Sequence, residues 1–369
     1  MQLNLNDFFW FGFTNQKFNF IEGINNYNLK ASALIEGRSV PLDKAIEKLL
    51  EIFEKTNSVH FDGLICDQKS LTRILDLAER KRSSVNHVEA DDNNNFFTAY
   101  QKYGGSFVSF NELRKRSDLL IFLGNFENNQ IKSFINNTGW RKNFIENSIF
   151  LFSRIKSSKL KNQFNYGELN NIAKTMINLF NNEPNEKKYQ KLKKKVNDSK
   201  YPVIVINTKN GFIITDQILK ACENINNSLK KIRIFRFSGL NNSSGFVNSS
   251  LTKTGYPGAI NFTDWGVFHN PAEYSAKIQK KLVSTQIYFS NLNSNPDFVK
   301  FKKNVFVGHP NFKHKKEFDV FIPVKTPGLD TNGLVVRSDG IGLLKLKKRM
   351  ESDYIGISKL VDLLMFKNG

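Results

Sequence analysis

The 369 residues carry 40% apolar side chains, enough to bury two ordinary lobes with their own cores and too many for a single small module. Two cysteines, Cys66 and Cys222, exclude a disulfide framework and any four-thiolate zinc or iron–sulfur site, so a reducing, cytoplasmic setting is expected. Lys and Arg outnumber Asp and Glu 54 to 34, and the formal charge of +20 implies polyanionic partners of some kind.

No apolar run reaches the roughly 18 residues of a membrane helix, and the opening MQLNLNDFFWFGF places Asp7 where a signal peptide carries Lys or Arg, so no membrane partner is expected. Residues 1–34 read as an irregular arm for subunit packing, with Phe8, Phe9, Trp10, Phe11 and Phe13 crowded into one patch. From Pro41 the pattern turns helical, since Ala45, Ile46, Leu49, Leu50 and Phe53 recur at the spacing of one apolar face. A short strand over 59–63 ends at glycine, and Asp67 caps a helix whose face is Leu71, Ile74, Leu75 and Ala78. Its last turn, Arg80-Lys81-Arg82, complements the helix dipole. Strands follow at 118–124, 149–152, 201–207 and 232–237, with helices at 167–182 and 215–227. The lysine-rich stretch 186–200 reads as a solvated helix face. Shorter strands at 287–289, 305–307 and 320–322 complete the series. Strand followed by capped helix is the signature of parallel sheets covered by helices. A first α/β region is thus expected over 35–200, a second over 201–347, and a C-terminal helix within 348–369.

The chemistry of common active sites is missing from the local motifs. His60, His87, His269, His309 and His314 form no HxH, no HExxH and no pair four apart, and Pro310 opposes a helix that could bring His309 and His314 together. No metal site is expected. There is no GxSxG elbow, no P-loop and no full GxGxxG, and Gly340-Ile341-Gly342 is only a fragment of the last. Cys66 follows the first strand, where a nucleophile could sit, but a small buried thiol is the expected state. Two loop-like segments remain. One runs from Gly245-Phe246-Val247-Asn248 through TGYPGAINF (254–262) to residues 270–274, the other from residue 319 through TPGLD (326–330) to RSDG (337–340). Both set Gly and Pro beside polar groups at predicted strand ends, where open α/β sheets bind ligands and where irregular connections also pack lobes together.

Those segments, read with residues 33–43, Asp62-Gly63-Leu64 and residues 118–124, resemble the molybdopterin-type subunit of formylmethanofuran dehydrogenase. More narrowly they resemble its methylotroph relative, the corresponding subunit of the formyltransferase/hydrolase complex, in order from about residue 31 to 347. The resemblance implies two Rossmann-like, interleaved α/β lobes with mostly parallel sheets, related to the central domains of molybdopterin oxidoreductases. It also implies departures that bear on function. Residues 1–65 hold no cysteine for the dehydrogenase's iron–sulfur centre. The stretch matching its metal-ligating cysteine, residues 85–90, offers only His87, and Asp330 and Gly333-Leu334 replace a glutamate and a Gly-Thr pair of the pterin loop.

What the resemblance implies is therefore a scaffold subunit with no catalytic residue, no metal and no cofactor of its own. Its complex transfers a formyl group from tetrahydromethanopterin to a methanofuran-type carrier and hydrolyses it to formate in one-carbon metabolism. The protein partners implied are the other three subunits of that complex: the formyltransferase, the amidohydrolase-like hydrolase that carries the metal, and a third chain. The polyglutamate tail of the carrier is the further partner, for which Lys253, Lys325 and Arg337 are the candidate contacts. Three rivals stand beside this reading: a redox-active molybdopterin dehydrogenase, a basic nucleic-acid-binding protein, and a hydrolase using His87, Glu89 and Asp91. Against the second, the aromatics are mostly Phe in apolar runs and no recognition module is visible.

Overall fold

The computed structural model describes residues 26–124, 126, 128–140, 149–153, 163–165, 187–208, 212–228, 231–237 and 240–366. The aromatic patch at residues 8–13 and the helix expected over 167–182 lie outside them. Two compact units divide the described residues: Asn95–Gly239 belongs to one, and the stretches ending at Asn94 and beginning at Leu240 belong to the other. One unit is thus an insertion in the other. Residues 200 and 201 both fall inside the inserted unit, so the two units do not divide there.

The inserted unit is built on five parallel strands in the order Gln163–Asn165, Ile149–Ser153, Leu119–Leu123, Pro202–Asn207, Arg233–Phe237. The first strand in sequence lies at the centre, the arrangement of a doubly wound sheet. Leu119–Leu123 and Pro202–Asn207 are buried along their whole length because helices cover both faces, which is why they read as unbroken apolar runs. Successive side chains of one strand feed two cores: Leu119, Ile121 and Leu123 join Ile204 and Ile206, while Leu120 and Phe122 join Val203, Val205 and Phe134. The Asp118 carboxylate ties the entries of the two central strands by accepting from the Ser199 hydroxyl and from the Lys200 and Tyr201 N–H groups at 2.7 and 2.9 Å.

The second unit carries a nine-stranded sheet. Its order is Gly266–His269, Ile260–Thr263, Ser84–Val85, Val59–Ile65, Thr285–Ser290, Lys303–Gly308, Val320–Pro323, Ala33–Ile35, Arg38–Val40. The five central strands are parallel, and an antiparallel hairpin closes each edge. The expected helix after Pro41 spans Leu42–Lys55 and buries Ala45, Leu49, Leu50, Ile52 and Phe53. Helix Gln68–Arg80 begins at Asp67, whose carboxylate takes the Ser70 hydroxyl at 2.6 Å, and it packs against helices Ser243–Thr254 and Ile357–Phe366. The last of these is the C-terminal helix expected from the sequence.

A bulge interrupts the central strand. Gly63 and Leu64 both have positive φ, 76° and 50°, and the pairing with the next strand shifts register between Tyr288 and Ser290. Tyr288 is fully buried with its hydroxyl on the Asp297 carbonyl, and its ring lies where a Cβ on Gly63 would be, at 2.4 Å from Cε1. Gly63→Ala therefore meets a ring clash and a left-handed backbone together, and is expected to cost about 2–4 kcal/mol. Urea unfolding checks this: the midpoint should fall with the slope unchanged, and an unaltered midpoint would remove the ring from this place.

Candidate functional site

In the second unit the chain switches direction across the sheet between Val59–Ile65 and Thr285–Ser290, the first and third of its parallel strands in sequence. The carboxyl ends at such a switch point diverge into the crevice where open α/β sheets hold ligands. Cys66 and Asp67 leave the first strand here, Asn291 and Asn293 the third, and Asn86 and His87 the neighbouring strand Ser84–Val85.

A turn of the chain's own backbone fills that crevice. Asn241 and Asn242 are both left-handed, with φ of 55° and 56°, a conformation that Asn tolerates better than any side chain but Gly. The Asn242 amide donates through Nδ2 to the Cys66 carbonyl at 2.7 Å and accepts through Oδ1 from the Val336 N–H at 2.9 Å. Asn241 donates to the Glu89 carboxylate at 3.4 Å and accepts from Asn293 Nδ2 at 3.0 Å. His87 Nδ1 accepts from the Glu89 N–H at 3.0 Å, so Nε2 carries the proton and donates to the Asn241 carbonyl at 3.3 Å. The His87 ring is stacked on Phe246 at 5.1 Å, and burial pulls its pKa down to about 3. It is a neutral, immobilised group.

The segment expected to open the first ligand loop, Gly245 to Asn248, lies instead inside helix Ser243–Thr254, and residues 260–263 form the inner strand of an edge hairpin. Gly245 reflects close approach: a Cβ there would stand 2.5 Å from the Asn242 amide. The TPGLD loop is a structural clamp. Asp330 is buried and accepts from the Thr326 N–H at 2.6 Å, the Tyr27 hydroxyl at 2.8 Å and the Ser352 hydroxyl at 2.5 Å, joining three distant stretches of chain.

The candidate carrier contacts are dispersed. Lys253 bridges Asp76 and Glu79 at 2.8 and 2.7 Å. Partial burial would lower its pKa, and those two carboxylates outweigh this and raise it. Arg337 makes a two-pronged bond to Asp339 at 2.9 and 2.6 Å. Lys325 extends strand Val320–Pro323, its backbone bound to the Ile355 carbonyl at 3.0 Å and to Asn291 Nδ2 at 3.0 Å. His87 and Glu89 do meet, but Asp91 stands exposed in the first turn of helix Ala90–Tyr103, so the rival hydrolytic trio is not assembled.

A metal–pterin group, which the sequence resemblance implies, does not fit these residues. The space at the strand ends is taken by the Asn241–Asn242 turn, and the side chain facing it is a neutral imidazole already bonded at both nitrogens. Cys66 lies beside it, yet burial and then the Asp67 charge push its thiol well above the ordinary range, so it offers no thiolate. Among the described residues no three His, Cys, Asp or Glu side chains are placed to hold a metal ion. Sequence reading passed over Asn241, Asn242 and Asn293. The signal was LNNSSG (240–245), an Asn pair before a helix, and it is camouflaged in a chain rich in Asn.

No family model matches the sequence, and no curated protein matches it. By structure the chain is similar to a chain of the formyltransferase/hydrolase complex (FhcABCD) from Methylorubrum extorquens, solved in complex with methylofuran. The TM-score is 0.76 at 14% identity, over 91% of this chain and 99% of that one. It is also similar to acetylene hydratase from Pelobacter acetylenicus, with a TM-score of 0.59 at 12% identity over 94% of this chain and 63% of that enzyme. Identities this low speak for the fold, and the fold is the α/β class that the sequence resemblance implies.

Two outcomes follow from the filled crevice. Asn242→Ala leaves the Cys66 carbonyl and the Val336 N–H unpaired and places Ala in a left-handed turn, for a loss of about 3–6 kcal/mol. Asn242→Gly removes the bonds but not the turn, and should lie about 1 kcal/mol above the Ala variant in urea unfolding. Equal stability of both variants and the parent would mean that the amide holds nothing.

The second outcome concerns pH. Burial lowers His60 and His87 to about 3 and His309 to about 4, so the folded chain keeps them unprotonated where the unfolded chain takes up protons near 6.5. Stability therefore falls as pH drops below 6.5. Asp62, pushed up to about 6 by burial, works the other way, since the folded chain binds its proton more tightly between about 6 and 3.8. Asp67, also raised by burial, works in the same direction as Asp62, but three histidines outweigh these two carboxyls, and going from pH 7.5 to 5 should cost about 3–5 kcal/mol net. A urea midpoint that is level or rises between these pH values would contradict the burial of the three rings.

Proposed function

We propose that this chain is the scaffold subunit, without an active site of its own, of a formyltransferase/hydrolase complex. Such a complex would pass a formyl group from tetrahydromethanopterin to a methanofuran-type carrier and release formate. Supporting the placement is a fold likeness that takes in nearly the whole of the neighbouring chain. Supporting the absence of chemistry is the Asn242 amide, which bridges Cys66 and Val336 across the crevice where a ligand would lie. Formyl transfer and metal-assisted hydrolysis would then belong to the formyltransferase and hydrolase subunits, and this chain would hold them, with the third, at fixed separation in the cytoplasm. That arrangement confines a tethered carrier between two sites, which raises its effective concentration at each without any new contact.

Of the three cations expected at the polyglutamate tail, Lys325 is the one this reading retains. Lys253 and Arg337 are already neutralised by carboxylates of this chain, and a tail would have to displace them. The redox-active rival is disfavoured by the same amide turn, because a metal–pterin group would require those residues to leave.

Coexpression with the formyltransferase and hydrolase subunits tests the proposal. The chain should coelute with them in fixed stoichiometry, and His87→Ala should leave formyl transfer and hydrolysis by the assembled complex within about twofold, although it removes a stacked ring and can lower thermal stability by a few kcal/mol. A chain that elutes alone, or one carrying stoichiometric tungsten or molybdenum with a fluorescent oxidised pterin, would sink the reading.

A further inference from the structure

The edge hairpin Ile260–Thr263/Gly266–His269 is built unlike a protected sheet edge. Strand Gly266–His269 pairs with Ile260–Thr263 on one side, and its other side has no sheet partner among the described residues. Exposed edges are ordinarily guarded by Lys, Pro or a bulge, because their free backbone groups recruit other strands. This one carries aromatic side chains: Trp265 in the turn is 91% exposed and Phe268 on the strand 50%. Tyr256, itself exposed, stacks on His269 at 5.0 Å, and the His269 ring is fixed by a bond to the Gly258 carbonyl at 2.6 Å. The Tyr256–His269 pair is therefore held in place, on the opposite face of the strand from exposed Phe268.

Helix Ala276–Leu282 adjoins the same edge through Gln279, which accepts from the Ser84 hydroxyl of the strand next to the hairpin at 3.0 Å. It adds exposed Ile278 and Leu282, the latter 65% exposed, and the exposed lysines Lys277, Lys280 and Lys281. The nearby acids are engaged elsewhere, Asp264 by Arg82 at 2.5 Å and Glu273 by Asn270 Nδ2 at 3.2 Å. A free strand edge, exposed aromatics and a cationic helix with no acid of its own together suit an extended, acidic segment that adds as a strand and sets its carboxylates toward the lysines. A second copy of this chain suits it poorly, since it would bring three lysines and a formal charge of +20 against their like.

We infer that this edge is the docking site for an acidic, extended segment of a partner protein. The inference deepens the assembly reading above by naming the surface and the chemistry of its occupant, and it rests on that reading only for the partner's identity. To test it, the full chain is expressed in its native host with p-benzoylphenylalanine in place of Trp265 or, separately, Phe268. After irradiation the crosslinked peptides are sequenced. The expected result is one acidic segment of one protein captured from both positions, and loss of that crosslink in chains that also carry Lys277→Glu, Lys280→Glu and Lys281→Glu. If that triple variant fails to fold, as circular dichroism would show, irradiating the parent photoprobe chain at about 0.5 M salt gives the same readout, because screening at that strength cuts the attraction to a few ångströms. Capture of this chain itself, of nucleic acid or of a neutral or basic peptide overturns the inference, as does an absence of crosslink at both positions. An acidic segment from a formyltransferase or hydrolase subunit supports both readings. One from an unrelated protein supports the docking edge and counts against the assembly.

Discussion

A buried backbone carbonyl at the end of a central parallel strand needs a donor, and here the Cys66 carbonyl finds it in the side chain of a residue 176 positions away, Asn242. The same amide must also supply an acceptor for the Val336 N–H, and its backbone must turn left-handed. Asn satisfies all three conditions at once, whereas Asp lacks the donor and Gly lacks both groups. With Asn242 set, helix Ser243–Thr254 can begin only where it does, and Phe246 comes to lie on His87. The Ser244 hydroxyl then reaches the Ser338 carbonyl at 3.3 Å. Separate stretches of chain thus meet around one amide. In a low-dielectric crevice such a network rigidifies when complete and is costly when broken, so the geometry of the whole switch point depends on it.

Much of the scaffold was legible because parallel strands advertise themselves. LLIFL and VIVI must be apolar at every position when both faces are covered, and the strands found at 119–123, 202–207, 285–290, 303–308 and 320–323 all contain apolar runs of three or more. The edge hairpins were not legible in the same way. Residues 260–263 alternate buried and half-buried, which over four positions is indistinguishable from a loop beginning with Gly and Pro. The order of strands, and with it the switch point, cannot be read from periodicity at all, since it depends on which crossover packs on which face. The resemblance supplied the interleaving that local patterns could not.

The cationic excess shows the same division between local and distant information. Lys253 was a candidate because it flanks a glycine-rich segment, yet helix packing brings Asp76 and Glu79 to its ammonium across more than 170 residues. Arg337 is neutralised by Asp339, only two residues on, and that bond depends on the tight turn at Gly340, whose φ is 75°. Charge counted along a chain is thus a poor guide to charge presented at a surface. What remains presented lies on short elements such as Ala276–Leu282, where three lysines project without acids on the same helix.

The interior titratable groups point the same way as the filled crevice. Acid–base catalysts work best with a pKa near the operating pH, and active sites use burial and neighbouring charge to bring it there. In this chain burial moves the groups outward: His60 and His87 fall to about 3, and the thiols of Cys66 and Cys222 rise, the latter to about 12. His60 illustrates how complete the neutralisation is. Its Nδ1 donates to the Ser84 hydroxyl, which itself donates to Gln279, and its ring lies flat on Phe301 at 5.4 Å. Asp62 moves the other way, raised to about 6, and it is bonded to Gln286 at 3.0 Å beneath the bulge that seats Tyr288. A proton leaving Asp62 would create a buried charge steadied by the Gln286 amide and the Gly63 N–H, two neutral donors that cannot match a cation. Groups held neutral in this way stabilise a rigid interior, and the charge the chain presents is left to its surface.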